Sequence, residues 1–176
     1  MIDFLMISTR STKRGVIEIY PKFIIKKSSD LMIRGGDFYA IWIEERGLWS
    51  TDEQDALQLI DRELDRYAEE SRQRFDSEIK VLHMWDAESG MIDSWHKYCQ
   101  KQMRDSFHML DDKLIFSNTK TDKKDYASKK LKYPLEAGDL SAYDQLMSTL
   151  YSEAERQKIE WAIGSVVCGE SKKLTK

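Results

Sequence analysis

The sequence predicts an α+β chain, a small antiparallel β-sheet at the N-terminus followed by a mainly helical portion. Short β-branched and aromatic runs separated by turn residues occupy the first fifty positions. Four later stretches repeat apolar residues at helical spacing. Between the second and third of these lies a polar run rich in lysine and without any apolar period.

The β runs are Val16 to Tyr20, Phe23 to Ile25, Leu31 to Ile33 and Phe38 to Ile43, with Pro21 and Gly35-Gly36 as the turn signals between them. The clearest hairpin runs from Asp37 to Ile43 and turns through Glu44 to Gly47 into Leu48-Trp49, because Gly47 can adopt the positive φ that closes such a loop. A first helix is expected to begin at Ser50, which has the spacing of a capping box with Glu53. Leu57, Ile60, Leu64 and Tyr67 make its apolar stripe, and Asp55, Asp61, Glu63, Asp65, Glu69 and Glu70 its solvated face. Ser71 to Ser77 break the pattern. The run from Ile79 to Trp85 fits either a strand or the approach to the next helix.

From about Glu88 to Leu110 the spacing of Met91, Ile92, Trp95, Tyr98, Cys99, Met103 and Leu110 predicts a helix of about six turns. Leu114 to Phe116 reads as a brief strand and residues 117–132 as a Lys-rich loop ended by Tyr133-Pro134. Two helices close the sequence. One carries Leu140, Tyr143, Met147 and Leu150; the other opens on a capping box at Ser152 and Glu155, carries Ile159, Ala162, Ile163 and Val166, and stops at Gly169. The expected organisation is a β-rich portion with the first helix over residues 1–70 and a helical portion over 71–176, forming one compact unit with a join near Ser71 to Ser77.

The 176 residues suit one domain and are 41% hydrophobic, so a packed core is expected despite 34% charged residues. No apolar run approaches the roughly 20 residues needed to span a bilayer, and the start lacks a signal-peptide pattern. Cys99 and Cys168 lie far apart in apolar-periodic settings, which predicts a reduced, cytoplasmic chain without a disulfide framework. Membrane partners are not expected.

Catalytic patterns are missing from the sequence. There is no G-x-x-x-x-G-K-[ST] loop, and Gly169 to Lys173 lacks both its first glycine and the preceding strand. Within the predicted helices no carboxylate stands four residues from His83, His96 or His108, and no nucleophile elbow occurs. Cys99 falls on an apolar stripe and reads as a small core residue. The carboxylates of residues 52–70 alternate with Arg62 and Arg66 at salt-bridge spacing. No enzyme activity, cofactor or metal is expected.

Charge is segregated although the net is only −3. Residues 10–34 hold seven basic side chains (Arg10, Lys13, Arg14, Lys22, Lys26, Lys27, Arg34) and two acidic ones. Residues 44–70 hold ten acids against Arg46, Arg62 and Arg66, and residues 113–132 hold seven lysines against Asp122 and Asp125. Such a pattern suits phosphate binding by basic loops, or the pairing of one subunit's acidic face with a neighbour's basic one. The candidate nucleic-acid residues are Lys97, Lys101 and Arg104, which with His108 form a stripe on the long helix, and the loop residues Lys120, Lys123, Lys124, Lys129, Lys130 and Lys132.

Four segments carry a family resemblance: Arg34 to Trp42 (RGGDFYAIW), Gly47 to Glu53 (GLWSTDE), Trp95 to Arg104 (WHKYCQKQMR), and Tyr143 to Tyr151 (YDQLMSTLY) continuing through Ile159 to Gly164 (IEWAIG). From about residue 15 onward the sequence resembles the region preceding the ATPase in phage replicative primase-helicases, superfamily 3 proteins related to the poxvirus helicase-primase. In that family a strand and a Walker A loop come next, and this sequence reaches only Ser171 to Lys176. The resemblance implies a non-catalytic accessory or collar portion of a replication helicase in a bacterial host's cytoplasm. Implied partners are single-stranded DNA bound without sequence preference, further copies of the chain, and another replication or host protein. A stand-alone phage protein that engages or inhibits a host or rival-phage protein is the alternative expectation.

Overall fold

A computed structural model describes residues 2–24, 27–74 and 78–169. Ile25, Lys26, the segment 75–77 and the terminal residues 170–176 lie outside the described residues, and so do the expectations placed on them. The chain divides into two units, Met1–His108 and Met109–Lys176. This division differs from the join expected near Ser71 to Ser77, for a physical reason: the elements just after that point complete the first unit's sheet and core.

Among its described residues the first unit contains two three-stranded sheets. One consists of β1 (Leu5–Ser11), β2 (Ile17–Phe23) and β6 (Ile79–Val81) in the order β1-β2-β6. β1 and β2 are antiparallel, whereas β2 and β6 are parallel, with Ile17 opposite Ile79. A parallel pair needs a long crossover. Here it contains the second sheet, β3 (Leu31–Arg34), β4 (Asp37–Ile43) and β5 (Leu48–Ser50), and then α1 (Glu53–Arg72). The open run from Ile79 therefore begins as a strand.

Turn chemistry places the second sheet as expected. Gly35 and Gly36 both have positive φ, 64° and 90°, which a two-residue hairpin turn requires and which side chains rarely adopt. Gly47, at φ 59°, donates its N–H to the Ile43 carbonyl and closes the β4–β5 loop. β1 was not foreseen, and β2 continues through Pro21, which the sequence marks as a turn. Pro21 is tolerated because it sits where the sheet has an edge. Ile17 N–H and Ile19 C=O both bond toward the β6 side, so by strand alternation the nitrogen of Pro21 faces that same side, beyond the end of β6.

α1 begins three residues later than predicted, and the expected Ser50–Glu53 box does not form. Asp52 is the N-cap and accepts the Gln54 N–H at 2.9 Å. Ser50 donates instead to Asp55 at 2.6 Å, while Glu53 accepts the indole N–H of buried Trp95 at 2.7 Å. An aspartate directly before the first helical residue caps better than a serine two residues further out. Asp61 is also reassigned, from the solvated face to a buried position.

α2 (Met91–Gln102) has 12 residues and is about half the predicted length. Met103 leaves helical geometry and is buried, Asp105 takes φ 57°, and Ser106 bridges back to Ile33 on β3. Sheet pairing thus captures residues whose spacing suggested more helix. Phe4, Ile19, Leu31, Ile33, Ile41, Ile60, Leu64 and Trp95 form the centre of this unit's core.

The second unit opens with a long segment of little regular structure. Leu114 to Phe116 do not form a strand; Leu131 N–H bonds the Ile115 carbonyl at 2.7 Å, and no ladder follows. A 3-10 turn at Lys123–Asp125 interrupts the loop, capped reciprocally by Asp122 and Asp125. α3 (Ser141–Leu150) and α4 (Glu153–Val167) form a hairpin, and the Ser152–Glu155 capping box is present as read. Gly169 has φ 75° just past the α4 C-cap. Among the described residues no helix is long and apolar enough to cross a membrane.

Candidate nucleic-acid interface

The open edge of β2 beyond Ile19 borders one of the concave places of the first unit. Among the described residues no strand pairs along that edge, on the side away from β1, and α2 packs against β2 and leaves a groove of about 400 Å³. Tyr20, Lys22 and Phe23 line it from the strand, and Met91, Ser94, Lys97, Tyr98, Lys101 and Gln102 from the helix. Helical spacing explains the second set: Met91, Ser94, Tyr98 and Lys101 share one side at i, i+3, i+7 and i+10, with Lys97 next to them.

Three lysines and two aromatic residues of intermediate burial meet in this groove, and among the described residues no carboxylate lines it. At its rim the Arg10 guanidinium lies 5.4 Å from the Tyr20 ring centroid and is ion-paired with Glu18 at 2.6 Å. Phe23 packs on Trp95 and Tyr98, with ring centroids 5.3 and 5.4 Å away, which anchors the groove floor to the core. Among the described residues the buried Tyr98 hydroxyl has no hydrogen-bond partner, and burial raises its pKa. A lysine-rimmed aromatic groove can neutralise phosphates and offer ring faces to bases.

The structure brings only part of the predicted stripe to this place. Lys97 and Lys101 are exposed on α2 at i, i+4. Arg104 and His108 fall beyond the helix end, and Arg104 sits 3.6 Å from Asp105. They are therefore no continuation of a helical stripe. Lys22 was visible as part of a basic segment; what the sequence did not reveal is its position opposite α2. The usable signal was Pro21, a proline inside a strand pattern.

The loop lysines belong to the second unit and have mixed duties. Lys113 donates to Asp125 at 2.5 Å, a contact that, with the Asp122 N–H, holds the Asp125 carboxyl below its ordinary pKa. Lys130 donates to the Thr119 carbonyl at 2.8 Å, and Lys129 lies 3.9 Å from Asp111. Asp111 in turn accepts the Ser128 N–H and hydroxyl at 2.7 and 2.6 Å. These bonds fold the loop on itself. Lys120, Lys124 and Lys132 are exposed, and Lys123 is half-buried.

A second cavity of about 320 Å³ is lined by Asp37, Glu53, His96 and Cys99, among others. Glu53 is bound by Trp95 and lies 3.5 Å from His96, and Cys99 is buried, its thiol pKa pushed up to about 12 chiefly by that burial. Such a thiol stays protonated and unreactive near neutral pH. Among the described residues no group of three His, Cys, Asp or Glu side chains is arranged to hold a metal ion. Elsewhere, His83 bonds Asp65 at 2.7 Å and stacks on Trp85, which is 76% exposed. In comparisons with known proteins the chain matches no family model, no curated protein and no solved structure.

Proposed function

We propose that the chain is a non-catalytic accessory module of a phage or prophage replication helicase. It works in the bacterial cytoplasm, grips single-stranded DNA without regard to sequence, and contributes contacts between subunits. The groove between β2 and α2 carries the reading: Lys22, Lys97 and Lys101 with Tyr20 and Phe23, and no carboxylate among the described residues of the lining. The role in replication rests on the sequence resemblance.

Few cations imply modest affinity. Three lysines cannot give more than the sequence-independent range, with Kd on the order of 10⁻⁴ to 10⁻⁶ M at physiological salt. A groove this small admits one strand and its unstacked bases, so single-stranded DNA is favoured over duplex. Exposed Lys120, Lys124 and Lys132 on the second unit add a weaker, separate contribution.

Fluorescence anisotropy with a labelled oligo-dT at low salt tests the reading. The chain should bind, and Lys97→Glu with Lys101→Glu should weaken binding at least tenfold while circular dichroism stays unchanged. Absence of binding at low salt, or binding indifferent to both reversals, refutes it. A second reading, the stand-alone interaction protein, has the exposed Trp85 in its favour. Aromatic residues of this kind anchor protein interfaces. It would be preferred if Trp85→Ala abolished capture of a bacterial protein while DNA binding was absent.

A further inference from the structure

The α3–α4 hairpin leaves uncovered the apolar residues that its own sequence pattern marks for burial. Of Leu140 at the N-cap of α3 and Tyr143, Met147 and Leu150 on it, only Met147 is buried. On α4, Ala162, Ile163 and Val166 are exposed, Ile159 is half-buried, and the one buried residue is Ser165. Leu146, Leu150, Ile163 and Val166 are 57%, 59%, 54% and 55% exposed.

These residues share a face. Arg156 donates to Asp144, and the Tyr143 hydroxyl donates to Glu160, which fixes the sides on which the two antiparallel helices meet. At about 100° per residue, Leu146 and Leu150 then lie to one side of the meeting line on α3. Ala162 and Val166 on α4, with Ile163 at the margin, fall on that same side. Ser148 lies on the opposite side of α3.

We infer that this face is the seat of a second copy of the chain, two hairpins packing about a two-fold axis into a four-helix bundle. Because the inference names the surface behind the subunit contacts of the proposed role, it rests on that reading. Area supports the choice of occupant. Leu146, Leu150, Ile163 and Val166 together expose roughly 400 Å², within the span of about 300–600 Å² that the largest patch of a typical monomer occupies and that often marks a functional surface. A standard interface takes about 800 Å² from each partner, somewhat over half of it apolar, so this patch supplies most of the apolar portion of one such interface. A two-fold arrangement matches the patch with itself and closes at two copies. Two amphipathic hairpins burying their stripes against each other are the ordinary composition of a four-helix bundle.

Sedimentation equilibrium on the full chain without DNA decides. The expected mass is twice the 20.7 kDa of one chain at micromolar to tens-of-micromolar concentration. Leu150→Glu with Val166→Glu should raise the dimer Kd at least a hundredfold, since each charge is buried twice in a symmetric interface. Ser148→Glu, on the opposite side of α3, should leave it unchanged. Where circular dichroism shows that the glutamate pair unfolds, Leu150→Ala with Val166→Ala takes its place, with at least a tenfold weakening expected. A chain that stays monomeric at hundreds of micromolar, a dimer indifferent to the hairpin substitutions, or an assembly of three or more copies overturns the inference. A monomer that still binds oligo-dT removes the two-fold bundle and the subunit contacts and leaves the grip on DNA; a dimer that fails to bind DNA removes the grip on DNA and leaves the bundle standing.

Discussion

Removing the carboxylate of Asp61 should separate the two things it does: it accepts backbone hydrogens and it carries a buried charge. Asp61 is 9% exposed, and its Oδ1 accepts the Met84 N–H at 2.6 Å, with Oδ2 3.4 Å from the Trp85 N–H. Alanine would leave the Met84 N–H without an acceptor beside a side chain that is 1% exposed. An orphaned buried donor costs about 1–3 kcal/mol, and the long second bond adds little, so Asp61→Ala should lose about 2 kcal/mol. Asparagine keeps an oxygen for Met84 and discards the charge, so Asp61→Asn should lose at least about 1 kcal/mol less. The pH dependence has a definite sign. Desolvation outweighs the backbone bonds and raises the folded-state pKa above 3.8. Between those values the native state keeps a proton that the unfolded chain has lost, so this contribution is full below the ordinary pKa and disappears as pH rises through the raised one. Wild type should therefore lose stability relative to Asp61→Asn as pH rises from about 4. Urea unfolding of the three proteins at several pH values reads both effects. An Asp61→Ala loss under 0.5 kcal/mol, or a difference from Asp61→Asn that is flat or grows the other way with pH, refutes the reasoning.

Three further outcomes follow from the same geometry. With three lysines at the groove, log Kobs for single-stranded DNA should fall with log salt at a slope near −2, about twentyfold weakening between 50 and 200 mM, and Lys97→Ala with Lys101→Ala should flatten the slope to about −0.7. Gly169→Ala should destabilise the second unit by more than about 1 kcal/mol in thermal unfolding, because the position needs φ 75° and a Cβ would meet the Asp112 carbonyl oxygen at 2.5 Å. Native alkylation at pH 8 followed by mass spectrometry should add one label, on exposed Cys168, and a second only after denaturation, since Cys99 is buried with its thiol pKa near 12.

How much of this could be read in advance depended on whether the deciding contact was local. The Gly35-Gly36 and Gly47 turns were legible because a required backbone conformation names its residue, and the Ser152–Glu155 box because both partners lie within one turn. The end of α2 was not, since what stops the helix is the Ser106 bridge to Ile33, seventy-three positions earlier. Asp61 looked solvated because helical spacing reports a face and says nothing of a later turn folding over it. In the same way Lys97 and Lys101 were legible as a basic pair, while their partner Lys22 depended on a sheet edge that only the short β6 leaves open. The apolar stripes of α3 and α4 were read correctly as patterns, yet spacing alone does not tell whether the chain covers them itself.

Pro21 has a consequence for how the protein behaves in a crowded cell. An uncovered strand margin is an invitation to misassembly, because its vacant amides can template foreign strands into aggregates. With an imino nitrogen turned outward at the middle of that margin, the run of donors is broken, and the cleft can remain accessible without recruiting stray polypeptide.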